Sequence, residues 1–137
     1  MRNRWIAFLT IMIAVIAVLF AHGEWGGAYV ERENNRLFEA TARETLRTIN
    51  IAAVAYSAKH GTFPETLEDM GPAGDKLLDY AVSSGTTFGY AFHYHSSDSG
   101  RSYGVIADPK TRFGHNLFTN QTGILRVGRN VTSSEYR

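Results

Sequence analysis

The chain has 137 residues, with 14 Lys and Arg against 13 Asp and Glu and no cysteine. That length allows one modest domain, and the missing thiols exclude disulfides, thiolate nucleophiles and zinc–thiolate sites. With a net charge of +1 and no Lys/Arg block, nothing draws the chain as a whole to nucleic acid.

The first element is "MRNRWIAFLTIMIAVIAVLFAHGEW", in which Trp5 to Ala21 is apolar apart from Thr10 and follows Arg2 and Arg4. As a helix this run spans roughly 26 Å, a little short of a hydrocarbon core of about 30 Å, with Trp5 and Trp25 placed to mark the interfaces. A helix apolar on all sides needs a large domain to wrap it, which the remaining residues do not supply, so residues 1–25 read as a membrane anchor. Ile6, Leu9, Ile13, Ile16 and Phe20, with Trp5, are the side chains expected against lipid or neighbouring helices. A cleaved secretory signal ending at Ala21-His22-Gly23 is the alternative. Either reading puts the rest of the chain outside the cytoplasm if the two arginines stay inside.

Residues 26–60 continue as a helix, rich in Ala, Glu, Arg and Leu and free of proline from Ala28 to Lys59, with Gly26 and Gly27 as a kink and Gly61 as the stop. Ala42, Leu46, Ile49, Ala53 and Tyr56 recur at spacings of four, three, four and three, which draws one apolar stripe. The opposite face is expected to carry charge as far as Lys59. Upstream, "VERENNR" is polar enough to stand in water or against a neighbouring chain.

Residues 61–86 form a connector of two short helices, one opened by Pro64 and closed by Gly71, the second in "GDKLLDYAVSSG" and closed near Gly85. From residue 87 to 128 the period changes to two. "GYAFHYH" places Tyr90, Phe92 and Tyr94 on one strand face and Ala91, His93 and His95 on the other. "SYGVIAD" is the return strand, and "HNLFTNQTGILRV" gives two more about a turn at Asn120 to Gly123. Four antiparallel strands cannot bury both faces alone, so the expected fold is a two-layer α+β domain, its aromatic face on the helix stripe. Leu46, Ile49, Ala53 and Tyr56 are then helix–sheet packing residues. Residues 129–137 are a polar tail.

The order of elements resembles a type IV pilin or a type II secretion pseudopilin. "LRTINIAAVAYSAKHGTFPETLEDMG", "LLDYAVSSGTTFGYAFHYH", "YGVIADP" and "NLFTNQTGILR" are similar to phrases that occur in this order in bacterial pilin-like proteins, over roughly Ala42 to Arg126. The resemblance implies a structural subunit assembling through its N-terminal helix into a filament or pseudopilus. Its partners would be the membrane and further pilin-like subunits, with no nucleic acid. Its place would be the inner membrane with the C-terminal domain in the periplasm, or an extracellular filament. Pilins usually open with a glycine before an apolar run that contains a glutamate. Here no glycine precedes Trp5, no acid lies between Met1 and Ala21, and Gly23-Glu24 follows the run. That departure favours the alternative, a non-assembled periplasmic binding module on a single anchor.

Chemistry-bearing residues are sparse. His93, His95 and His115 could offer three imidazoles to a metal, and Asp98, Asp108, Asn116 and Asn120 occupy turns where oxygen ligands could hold calcium, as in the sheet loops of some pseudopilins. Exposed strand histidines and Asx turns account for both sets more simply. Ser83-Ser84 and Ser96-Ser97 lack a nucleophile-elbow pattern, so the reading is of no enzyme, no cofactor and no resident metal.

Overall fold

The computed structural model describes residues 2–97 and 99–128; Asp98 and the tail, 129–137, lie outside the described residues, as do the side chains of 2–11, 15, 17 and 19–29. The fold is α+β, with a long N-terminal helix and an antiparallel sheet. The chain divides into two compact units, Met1–Asn34 and Asn35–Arg137.

Helix α1 runs over Arg2–His60, 59 residues, and is not interrupted at Gly26 and Gly27. Gly61 ends it in the left-handed conformation at φ 80, its N–H donating to the Ser57 carbonyl, an ending that glycine adopts without a Cβ clash. Of the N-terminal unit's anchor residues, Ile13 and Ile16 are 63% and 46% exposed, while the side chains of Trp5, Ile6, Leu9 and Phe20 lie outside the described residues. Among the described residues, no helix is long and apolar enough to cross a membrane.

In the second unit, Ala42, Leu46, Ile49, Ala52 and Ala53 of α1 are buried, with Phe38 and Tyr56 partly buried against the same core. The face opposite them does not carry charge alone. Leu37, Ile51 and Val54 stand there 61%, 72% and 54% exposed, so the helix has a second apolar stripe that the expectation of a charged face omitted.

The connector holds less helix than its sequence suggests. A 3₁₀ turn at Glu68–Met70 and a four-residue helix, α2 (Tyr80–Ser83), replace the two short helices. The Asp69 carboxylate accepts the N–H groups of Glu65 and Thr66, and the Met70 carbonyl accepts those of Leu77 and Leu78, so a looped turn occupies the stretch after Gly71. Asp79 caps α2 by accepting from the Val82 N–H at 2.8 Å.

The sheet has five strands, not four, in the order of the chain: β1 (Thr86–Thr87), β2 (Tyr90–Ser96), β3 (Tyr103–Pro109), β4 (Asn116–Asn120) and β5 (Arg126–Gly128). The added strand is β1, paired to β2 through a two-residue turn in which Phe88 and Gly89 both have positive φ, 29 and 79. That is the twist a tight hairpin needs. Phe38 of α1 closes over the turn: a Cβ on Gly89 would stand 2.7 Å from its ring.

The inner face carries Tyr90 and Phe92 of β2, Tyr103, Val105 and Ala107 of β3, and Leu117 of β4, all buried and joined to the helix stripe in one core, with Thr119 of β4 buried beside them. A polar tie crosses this apolar layer. The Tyr103 hydroxyl donates to Asn50 Oδ1 at 2.8 Å, and Asn50 Nδ2 donates to Thr119 Oγ1 at 2.8 Å, which fixes helix to sheet in one register. Tyr103 also stacks on Tyr94 at 5.4 Å and meets Phe63 edge-on at 4.8 Å. Burial pushes its phenol up to about 12.

Candidate functional site

Because β2 alternates, burying Tyr90 and Phe92 turns His93 and His95 outward. Strand register then sets two rows on the outer face. His93 lies beside Ile106 and Ile106 beside Phe118; His95 lies beside Gly104 and Gly104 beside Asn120. Gly104 has no side chain, so the second row has a gap, and the Phe118 ring leans into it, 3.3 Å from where a Cβ would sit. Phe118 is only 4% exposed although it faces away from α1. A cavity of about 440 Å³ opens at this gap, lined by His93, His95, Ile106, Phe118, Asn120 and Gln121 among others. Its lining combines the apolar side chains of Ile106 and Phe118 with imidazole, amide and hydroxyl groups, a mixture suited to a small organic group or a peptide side chain.

The histidines do not converge. His93 Nε2 is 3.4 Å from Asp108 Oδ2, while His115 lies at the helix side, its Nδ1 3.0 Å from Glu39 Oε2. Burial raises the Glu39 pKa, but the hydrogen bonds from Arg43 at 2.6 Å and from His115 outweigh it and hold the carboxyl below its usual value. Among the described residues no group of three His, Asp or Glu side chains is placed to hold a metal ion. The oxygen-bearing residues are likewise separated. Asn116 donates to Asp108 at the start of β4, Asn120 takes the Thr122 hydroxyl and N–H at its end, and Asp98 lies outside the described residues. Ser83 and Ser84 donate to helix carbonyls, and Ser96 to the Ser97 carbonyl, so these hydroxyls are used locally.

The predicted packing residues are all in the core or against it: Leu46, Ile49 and Ala53 at 0% exposure, and Tyr56 partly buried and stacked on His60 at 4.1 Å. Sequence reasoning missed Asn50, Gly104 and Phe118. Asn50 falls between stripe positions and has no local signal. The other two matter only once the strand register sets them side by side. No protein-family model matches the chain, and no curated protein or solved structure does.

Proposed function

We propose that the protein is a membrane-anchored, pilin-like structural subunit that assembles through the N-terminal half of α1 and carries no catalytic site. The observation that supports this most is the contrast along one helix. From Asn35 on, α1 buries its stripe under a sheet, whereas in the N-terminal unit Met12, Ile13 and Ile16 are 60%, 63% and 46% exposed within a run that is apolar from Trp5 to Ala21. Apolar side chains in such a run need lipid or other helices around them. The small residues Ala7, Ala14, Ala17 and Ala21 suit close helix approach.

The test uses the absence of native cysteine. Single Ile13→Cys and Ile16→Cys chains, expressed in membranes, are expected to need detergent for extraction, to form disulfide-linked pairs and to sediment as assemblies visible by negative stain. Carbonate-soluble monomers would overturn the reading. The outer-sheet cavity favours a second reading, a singly anchored binding module; detergent-dependent monomers without cross-links would select it.

A further inference from the structure

The exposed stripe on α1 has a regular order that the buried stripe does not share. Leu37, Ala40, Glu44, Arg47, Ile51 and Val54 follow one another at alternating steps of three and four, the spacing of a two-helix seam. All six are exposed, Leu37, Ile51 and Val54 by more than half and the Glu44 and Arg47 side chains by 71% and 72%. The seam lies across the helix from Ala42, Leu46, Ile49 and Ala53, so the sheet cannot reach it.

From this the geometry points to an antiparallel contact with α1 of a second copy of the chain, centred between Glu44 and Arg47. The charges decide the direction. In an in-register parallel pair Glu44 meets Glu44 and Arg47 meets Arg47, two like-charge layers at the centre. In the antiparallel pair Glu44 of each chain meets Arg47 of the other, Leu37 meets Val54, and Ala40 meets Ile51, which matches every layer about one two-fold axis. Within one chain Glu44 and Arg47 already pair at 3.3 Å, so both side chains are held on this face. The ion pairs add direction more than affinity at such exposure. The apolar layers add the attraction, and the helix is preformed by its packing on the sheet, so little ordering entropy is lost on association.

Helices anchored side by side in one bundle run parallel, so this contact joins subunits that are not such neighbours. It goes beyond the proposed function and does not rest on it. The full chain, purified in detergent so that no shared membrane fixes the relative direction of two copies, is tested as two differently tagged single-cysteine forms mixed and then oxidised. Leu37→Cys with Val54→Cys, and Ala40→Cys with Ile51→Cys, are expected to form mixed disulfides in preference to self-disulfides, since only the antiparallel pair brings those positions within bonding reach. Self-disulfides at Leu37→Cys and Ile51→Cys would mean a parallel contact and overturn the proposal, as would no disulfide at any of the four sites. Adding Glu44→Arg to both forms should cut the mixed yield about ten-fold, the effect of two surface repulsions. If one form instead carries Glu44→Arg and the other Arg47→Glu, the yield should return. The Ile13→Cys cross-link is read in parallel, so loss of the seam contact is distinguished from loss of assembly through the N-terminal half.

Discussion

The two faces of α1 between Asn35 and His60 have nearly the same share of apolar residues and opposite fates. On one face Leu46, Ile49 and Ala53 are wholly buried; on the other Leu37, Ile51 and Val54 are more than half exposed. What separates them is the connection to the sheet. The polar tie through Asn50 and the aromatic layer of β2 and β3 select one face, and the seam interrupted by Glu44 and Arg47 is the one left out. Hydrophobic periodicity tells which residues want a partner, not which partner they get.

The largest expected effect breaks the buried face. Leu46→Ala should lower unfolding stability by about 2–5 kcal/mol, measured by urea denaturation of the full chain in detergent, because the closed core relaxes only in part around the lost methyl groups. Ile51→Ala, at a similar apolar change on the exposed face, should stay within about 0.5 kcal/mol of the parent at concentrations where the chain is monomeric.

A smaller effect sharpens the comparison at the polar tie. Tyr103→Phe removes the hydroxyl that Asn50 accepts, with an expected loss of about 1–2 kcal/mol. Tyr94→Phe, next to it in the stack, removes a buried hydroxyl that has no partner among the described residues, so it should be neutral or mildly stabilising. Equal losses from the two changes would mean that the bond to Asn50 adds nothing beyond a hydroxyl without a partner.

Next comes pH. Glu39 is held below its usual carboxyl value in the folded chain, so its contribution is present above the unfolded value of about 4.3 and is lost as pH falls through the folded one. The stability difference between the parent and Glu39→Gln should therefore shrink on going from pH 6 to pH 3. A constant difference would remove the carboxylate from the account. The smallest effect belongs to the outer face of the sheet: His93→Ala with His95→Ala should leave the denaturation midpoint nearly unchanged, because both imidazoles are turned to solvent.

Much of this was legible in the sequence, for identifiable reasons. The helix stripe, its stop at Gly61 and the strands β2 to β5 follow from short-range periodicity and turn residues. The two-residue strand β1 did not, because two residues carry no alternation and its turn uses Phe88-Gly89 where the usual signal is an asparagine before the glycine. The exposed seam was hidden by the charges at its centre, which made that face read as solvated. The outer histidine face was legible from alternation in "AFHYH", but the cavity beside it was not, since the gap at Gly104 and the lean of Phe118 exist only after three strands are in register.

The Asn50–Thr119 bond joins residues 69 positions apart, and the sheet that covers the helix stripe comes wholly after it in the chain. During synthesis at about 5–20 residues per second, α1 therefore leaves the ribosome several seconds before β4 exists. Over that interval both of its apolar stripes are uncovered, and a nascent chain in that condition is a substrate for holding chaperones. Completion of the last hairpin is the event that ends the exposure of one of them.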